Sequence, residues 1–278
     1  MNAPGGRASM DDAETALLLD AVYRQTGYDF RDYSPASRAR RVRERQRAEK
    51  VPSIAALRDL ILRDREAMRR FLHGMTISVS SMFRDPGLYR AFRSRVVPIL
   101  RTYPFVRIWH AGCSTGEEVY SMAILLEEED IYDRCRLYAT DMNEQVLDQA
   151  RQGIYPIASM KEFTENYRQA GGLQPFSDYY TARYDGAIIR STLRRNIIFA
   201  QHNLVTDGPF NEFHVIVCRN VLIYFNPALQ TRVHDLLLSS LVRFGFLVLG
   251  AKESLRFKAH ELRYEEIDPE NKIYRRIS

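Results

Sequence analysis

The chain has 278 residues, 45% hydrophobic and 27% charged, a composition typical of a soluble globular protein with one large and one small domain. It contains no apolar run long enough to span a bilayer and no signal peptide, so we expect a cytoplasmic location without membrane insertion. The three cysteines do not have the spacing of metal ligands, so no metal site is expected. They also show no disulfide framework. The net charge of +5 favours acidic or anionic partners without indicating nucleic acid.

Residues 1–75 are predicted to form a helical domain. Residues 1–10 are expected to be disordered, and residues 11–25 have the pattern of a helix. Ser34 is a helix start, because serine caps a first turn well and the proline that follows it suits the first helical position. Ser53 caps a further helix, whose apolar residues fall on one face.

The helix that Ser34 opens is strongly basic. Its cationic residues are Arg38, Arg40, Arg41, Arg43, Arg45, Arg47 and Lys50. Such a run is either a solvated face or a docking surface for an acidic partner. Aromatic residues do not interrupt it, so stacking on nucleic-acid bases is not indicated.

Residues 76–86 join this domain to the first strand. Small polar residues alternate there with large apolar ones, so the segment is predicted to be packed rather than a flexible linker. Ser78, Ser80 and Arg84 are then available to face a ligand. Residues 88–100 are predicted to be one helix.

A glycine-rich turn follows the first predicted strand, residues 106–109. The turn occupies residues 111–116, and Gly112 allows close approach of a ligand to the backbone. The strand, turn and following helix together indicate a nucleotide-binding α/β domain, although the dinucleotide fingerprint is missing. Glu117 and Glu118 in the helix's first turn would repel a pyrophosphate. They suit S-adenosylmethionine, which carries ribose hydroxyls, an ammonium and a sulfonium.

Two later strands end in polar residues. The second predicted strand ends at Asp141, about 20 residues or slightly more beyond the glycine turn, where such folds place a ribose-binding carboxylate.

Residues 176–200 are rich in β-forming residues and predict a small antiparallel insert. A buried strand at residues 213–218 precedes Arg219 and Asn220, at the sheet edge where ligands bind.

These segments together resemble the CheR-type chemotaxis receptor methyltransferases. The matching runs are Phe83-Arg-Asp85, Ala111-Gly-Cys-Ser-Thr-Gly-Glu-Glu118, Ala139-Thr-Asp141, Asn203-Leu204 and Cys218-Arg-Asn-Val-Leu-Ile-Tyr-Phe225. Enzymes of that family transfer a methyl group from S-adenosylmethionine to glutamate side chains of receptor helices. The resemblance covers nearly the whole chain. It implies an α/β fold, a Rossmann-like class I S-adenosylmethionine-dependent methyltransferase sheet with a small antiparallel β insert, in residues 76–278 after an all-α N-terminal domain.

The resemblance also implies roles for matching positions. The implied cofactor-binding residues are Ser78, Ser80, Arg84, Ala111, Gly112, Glu118, Asp141, Met142, Asn203, Leu204, Arg219 and Asn220. Glu118 would hold the amino-acid end of the cofactor, and Asp141 its ribose hydroxyls. Asn203 and Leu204 would lie by the adenine. Arg84 and Tyr224 are the predicted catalytic residues, which would orient the acceptor carboxylate or the methyl donor.

The chain departs from the family pattern in three places. Ser81-Met-Phe-Arg84 replaces the common Thr-Phe-Phe-Arg, and Gly250-Ala-Lys-Glu253 replaces Gly-His-Ser-Glu. The β insert also lacks the glycine-rich loop of members that tether to a receptor's C-terminal tail. Tail tethering is therefore not predicted.

The resulting prediction is a protein-glutamate O-methyltransferase that forms glutamyl methyl esters. Its partner would be the acidic helical methylation region of a chemoreceptor or related signalling protein, docked partly by the basic N-terminal helix. The alternatives are another protein acceptor and a non-catalytic module that binds S-adenosylmethionine or S-adenosylhomocysteine for signalling. A nicotinamide dehydrogenase is disfavoured because the dinucleotide fingerprint is missing. A nucleic-acid methyltransferase is disfavoured because the run of basic residues contains no aromatic residues that could stack on bases.

Overall fold

The computed structural model describes residues 5–76, 80–255 and 260–278, with only the backbone described for residues 5–10. These residues form two compact units. The first consists of the N-terminal helices together with Tyr224–Arg232, and the second contains the remaining described residues. Within the described part of the chain, no helix is both long and apolar enough to cross a bilayer.

The N-terminal helices of the first unit are α1 (Gly5–Thr26), α2 (Pro35–Ala48), α3 (Ile54–Arg63) and α4 (Arg65–Met75). The side chains of Ser34 and Ser53 cap α2 and α3 as the sequence predicts. Helix α1 begins at Gly5, inside the stretch of residues 1–10 for which the sequence predicts disorder, and that expectation stays a prediction. Residues 7–10 contain neither proline nor glycine, and nothing there interrupts the helix.

A distant segment, Tyr224–Arg232, completes the first unit. The amide of Ser34 donates to the carbonyl of Tyr224 at 2.8 Å. The rings of Tyr33 and Phe225 meet edge to face with centroids 5.2 Å apart. The predicted division into residues 1–75 and 76–278 stays a prediction, but the aromatic packing of this segment groups it with the N-terminal helices in the structure.

The cationic residues of α2 do not all face solvent. Arg41 is only 3% exposed, and its Nη1 donates to the carbonyl of Met75 at 2.5 Å. Its guanidinium also lies 4.9 Å from the ring centroid of Tyr224. Arg41 is therefore a packing residue of the first unit and does not belong to an exposed docking face. The exposed residues Arg40, Arg43 and Arg47 recur at helical spacing. Together with Lys50, an exposed residue just beyond the end of α2, they form the basic stripe.

The second unit is built on a sheet of seven described strands. In spatial order they are β6 (Ile197–Gln201), β2 (Cys135–Asp141), β1 (Val106–Ala111), β7 (Phe213–Cys218), β8 (Leu241–Leu249), β10 (Ile273–Arg276) and β9 (Tyr264–Asp268). The pairs from β6 to β8 are parallel, whereas β10 pairs antiparallel with both β8 and β9. The chain proceeds outward from β1 in one direction and continues from β7 in the other. This confirms the Rossmann-like α/β fold and places a topological switch between β1 and β7.

Helices accompany this sheet. They are α5 (Pro86–Ala91), α6 (Val97–Leu100), α7 (Glu117–Glu128), α8 (Glu144–Gln152), α9 (Met160–Gln169) and α10 (Pro227–Ser240), of which α10 belongs to the first unit as far as Arg232. The single helix predicted for residues 88–100 is interrupted by a π-helical turn, Phe92–Val96. Pro98 explains the change, because proline cannot donate to the carbonyl four residues earlier and its ring crowds that carbonyl.

The small antiparallel sheet has different limits from those predicted. Its described strands are β3 (Ile154–Pro156), β4 (Tyr180–Arg183) and β5 (Gly186–Ile189), with β5 in the centre. The insert was predicted at residues 176–200, but Ile197–Gln201 pairs with β2 in the large sheet. The insert also recruits Ile154–Pro156, which the prediction left outside it.

Replacing Arg41 tests the assignment of this residue to the core. We expect Arg41→Ala to lower the free energy of unfolding by about 2–3 kcal/mol, because the buried carbonyl of Met75 loses its donor. Urea denaturation followed by circular dichroism measures this change. Arg40→Ala, an exposed arginine of the same helix, should stay within about 0.5 kcal/mol of the wild type. Equal losses in the two variants would contradict the burial argument.

Candidate active site

The turn after β1 needs glycine at two positions. Gly112 has φ +79° and Gly116 has φ +93°, values that side-chain-bearing residues rarely adopt. A Cβ on Gly112 would lie 2.6 Å from Cγ2 of Val221, in the loop after β7. The amides of Gly112 and Cys113 both donate to the carbonyl of Thr140, which ties this turn to the end of β2. At the carboxyl edge of the sheet, the turn after β1 is thus in close contact with the loop after β7 and with the end of β2.

Asp141, at the end of β2, faces the same turn. Its carboxylate accepts from the amide of Ser114 at 3.0 Å and from the amide of Asn143 at 2.9 Å. Burial raises the pKa of Asp141, and these two hydrogen bonds oppose the rise. The hydroxyl oxygen of Ser114 is buried without a hydrogen-bond partner in the described part of the chain. A carboxylate beside an unused hydroxyl is well suited to bind the two hydroxyls of a ribose.

A buried charge network surrounds Glu118 in α7. Its Oε1 lies 3.0 Å from Nδ1 of His110, and its Oε2 accepts from Nη1 of Arg219 at 3.0 Å. Arg219 also donates from Nη2 to Asp85 at 2.5 Å, and its side chain is only 3% exposed. Burial alone would raise the pKa of Glu118, but His110 and the charge of Arg219 outweigh it and hold that pKa below its usual range. Glu118 is therefore ionised, and its oxygens retain lone pairs for an ammonium group.

Sequence reasoning missed His110 and Asp85 in this network. His110 is fully buried on β1, directly before the turn, and a polar residue inside an otherwise apolar strand was the available signal. Asp85 has φ +58° and Asn220 has φ +60°, so two non-glycine residues near Arg219 adopt the left-handed conformation. Such strain often accompanies functional sites, but a sequence does not display it.

The segment before α5 contributes two of the predicted residues. The hydroxyl of Ser80 hydrogen-bonds Glu117 and opposes the effect of burial, which raises the pKa of that carboxyl. The carbonyl of Arg84 lies 3.5 Å from Nη2 of Arg219. Arg84 is half-buried, and its guanidinium has no ion-pair partner among the residues that the structure describes. Ser78 lies outside the described residues.

The predicted adenine-side residues follow β6. The amide of His202 donates to the carbonyl of Asp141 at 3.1 Å, so Asn203 and Leu204 begin a loop next to the end of β2. Oδ1 of Asn203 accepts from the amide of Val205 at 3.0 Å and shapes this loop. Both residues are at least nine-tenths buried. Among the described residues the side-chain NH₂ of Asn203 has no acceptor, and such a group is suited to the edge of a base.

The second unit thus brings most of the predicted cofactor residues to one edge of its sheet. The residues placed there are Ser80, Arg84, Ala111, Gly112, Glu118, Asp141, Met142, Asn203, Leu204, Arg219 and Asn220. Tyr224, the other predicted catalytic residue, belongs to the first unit. A reactive-thiol site is not supported, because burial raises the pKa of Cys113 well above its usual value.

The residues present fit S-adenosylmethionine. The carboxylate of Asp141 and the unused hydroxyl of Ser114 suit the ribose, and the ionised Glu118 suits the ammonium. The close contact between Gly112 and Val221 leaves no room for a side chain in the turn that would face the cofactor. The same acids would repel the phosphates of a dinucleotide.

The raised pKa of Asp141 predicts a pH-dependent affinity for S-adenosylhomocysteine. The carboxylate is fully charged above its raised pKa, and we expect affinity to fall as the pH decreases through that value. Asp141→Asn should weaken binding by roughly tenfold, about 1.4 kcal/mol, and remove this component of the pH profile. Calorimetric titration across pH measures both effects. Asp148→Asn, at an exposed carboxylate of α8, should bind like the wild type; an unchanged profile in Asp141→Asn would contradict the assignment.

Comparisons with known proteins agree with this site. Residues 78–270 match the family model described as CheR methyltransferase, SAM binding domain, and residues 13–76 match CheR methyltransferase, all-alpha domain. The Pseudomonas putida protein that bears the methyltransferase name Cher3 is 50% identical over 95% of this chain and 97% of its own. A chemotaxis protein methyltransferase of Listeria monocytogenes is 30% identical over 84% of this chain and 87% of its own. The chemotaxis protein methyltransferase of Vibrio anguillarum is 31% identical over 72% of this chain and 73% of its own. The chain therefore belongs to the CheR methyltransferase family and uses S-adenosylmethionine as its cofactor.

Proposed function

We propose that this protein transfers the methyl group of S-adenosylmethionine to glutamate side chains of a chemoreceptor or related cytoplasmic signalling protein, forming methyl esters. The main support is the state of two neighbouring arginines. Arg219 is neutralised by Glu118 and Asp85, whereas Arg84 has no ion-pair partner in the described ranges. A half-buried, unpaired guanidinium beside the cofactor residues is suited to attract an anionic acceptor.

A carboxylate acceptor requires no general base. Glutamate has a pKa of about 4.3 in model peptides and is already ionised at neutral pH. Bound S-adenosylmethionine supplies the electrophilic methyl group and the sulfonium leaving group. The work left to the protein is to align the acceptor with that methyl group and to exclude water. We assign this positioning to Arg84, while the role of Tyr224, which belongs to the first unit, stays a prediction of the sequence.

The charge balance of the network supports the same acceptor. Glu118 and Asp85 together carry one more negative charge than Arg219 can neutralise. The ammonium of the cofactor would offset that excess, so the network would not repel an approaching carboxylate. Arg84 then adds the net positive charge that draws the acceptor in, and its pairing must stay loose enough to leave the carboxylate nucleophilic.

The basic stripe is the proposed docking surface for an acidic acceptor helix. Arg43 pairs with Asp11 at 2.9 Å, and Arg40 approaches Glu44 only to 3.9 Å. Arg47 and Lys50 have no ion-pair partner among the described residues. Cations of this kind would steer an acidic partner and fix its register. The Listeria and Vibrio relatives are named as chemotaxis methyltransferases, which points to a chemoreceptor as the partner.

The chemical product is the direct test of the proposal. With labelled S-adenosylmethionine and cytoplasmic fragments of candidate receptors, we expect label that mild alkali releases as volatile methanol, because carboxyl methyl esters are base-labile. Arg84→Ala should lower turnover by roughly ten- to a hundredfold, through misplacement of the acceptor. Arg95→Ala, an exposed arginine that faces Asp268, is the control and should keep wild-type turnover.

Two results would contradict the proposal. Label that resists alkali would identify an N-linked, C-linked or ether product in place of an ester. Absence of incorporation into every candidate acceptor, with intact binding of S-adenosylhomocysteine, would favour a non-catalytic signalling module.

Charge reversal on the basic stripe tests docking separately from chemistry. We expect Arg40→Glu with Arg47→Glu to raise the KM for the acceptor by roughly tenfold at low salt and to flatten its salt dependence. The KM for S-adenosylmethionine should not change. Steady-state kinetics over a range of salt concentrations measure these effects.

The control is an equal charge change elsewhere on the surface. Arg151→Glu with Arg168→Glu reverses two exposed arginines on α8 and α9. This double variant should keep the wild-type KM for the acceptor. If both double variants behave alike, the stripe is an ordinary solvated face.

A further inference from the structure

Glu253 occupies an unusual position beyond the end of β8. The residue is 5% exposed, and its carboxylate accepts hydrogen bonds from four described backbone amides. Oε1 accepts from Val221 at 2.9 Å and from Leu222 at 2.8 Å. Oε2 accepts from Asn220 at 3.0 Å and from Gly250 at 2.6 Å. Each oxygen therefore serves two donors, a number that only an ionised carboxylate accommodates fully.

These donors come from the carboxyl ends of two neighbouring strands. The loop of residues 219–222 follows β7, and Gly250 follows β8, which pairs parallel with β7. A Cβ on Gly250 would lie 2.7 Å from Oε2 of Glu253 and 2.8 Å from the amide of Asn220. At this edge of the sheet the loop amides of Asn220, Val221 and Leu222 donate to Glu253. Glu253 thus supplies acceptors to backbone donors that lie beyond the end of β7.

The loop held by Glu253 carries two contacts with the cofactor site. Arg219 donates to Glu118, the residue that suits the ammonium of the cofactor. The side chain of Val221 packs so close to Gly112 that residue 112 has no space for a side chain. A shift of this loop would therefore move both a charge partner of Glu118 and the packing behind the glycine turn.

We propose that Glu253 is a positioning residue for cofactor binding, acting through the loop of residues 219–222. It reaches the cofactor residues only through that loop, because its two oxygens are occupied by backbone amides. Burial raises the pKa of Glu253, and the amide hydrogen bonds oppose this rise. Glutamine cannot replace it, because its side-chain NH₂ would face amide donors in place of an acceptor oxygen.

Glu253→Gln tests the proposal through binding, without an acceptor protein. We expect the Kd for S-adenosylhomocysteine to rise about tenfold, and saturating ligand to raise the Tm by less than in the wild type. In the ligand-free protein, the amides of Val221 and Leu222 should exchange hydrogen faster. Calorimetry, thermal unfolding and hydrogen-exchange mass spectrometry measure these effects. Since no methyl transfer is involved, the outcome is independent of whether glutamate is the acceptor.

Glu128→Gln is the matched control for losing a buried carboxylate. The side chain of Glu128 is 2% exposed and accepts from the amide of Leu173 at 2.8 Å and the hydroxyl of Tyr179 at 2.9 Å. These partners belong to the neighbourhood of the β insert and not to the cofactor residues. We expect this variant to lose stability while keeping the wild-type Kd for S-adenosylhomocysteine.

A wild-type Kd in a folded Glu253→Gln protein would overturn the proposal, as would an equal rise in Glu128→Gln. If Glu253→Gln does not fold, Glu253→Asp keeps the charge on a side chain one methylene shorter. That variant should show a raised Kd and faster exchange at the loop amides. An unchanged Kd in Glu253→Asp together with faster exchange would likewise refute the link between the loop and the cofactor.

Discussion

The parallel pairing of β1 with β7 is the constraint on which the site depends. In this register Trp109 lies beside Ile216, and His110 beside Val217. The chain continues from these two strands toward opposite edges of the sheet, so their carboxyl ends open a crevice. Residues far apart in sequence become partners there, as Glu118 and Arg219 do across 101 positions.

The crevice concentrates charges that would be costly to bury singly. Arg219 is almost wholly buried, and an unpaired guanidinium in that position would cost several kcal/mol. Glu118 and Asp85 remove that cost, and the same contacts keep Glu118 ionised. The excess cations of the chain are displayed elsewhere, for example along α2. The charge balance of the crevice therefore depends on local pairing and not on the net charge of the chain.

Local signals were enough to predict the fold class and the helix caps. The glycine turn and Asp141 could be located in the sequence because each requires a particular residue type at a particular place, while the binding roles given to them stay predictions. Tertiary contacts decided the rest. The burial of Arg41 depends on a carbonyl 34 residues away. The composition of residues 197–201 predicts a strand but does not indicate which sheet that strand joins. Only its pairing with β2 in the structure excludes it from the insert.

The helical unit that carries the basic stripe is not a continuous piece of chain. The side chain of Asp32 accepts a hydrogen bond from that of Asn226, 194 residues later. Phe225, whose ring contacts Tyr33, directly precedes Asn226 in the chain. A ribosome adds about 5–20 residues per second, so Asp32 is synthesised roughly 10–40 seconds before its partner Asn226. Biosynthesis therefore completes this unit only after most of the cofactor-binding sheet has been translated. Until then the ring of Tyr33 lacks its contact with Phe225. The last strands of the sheet and the final contacts of the helical unit therefore form in the same late interval of translation.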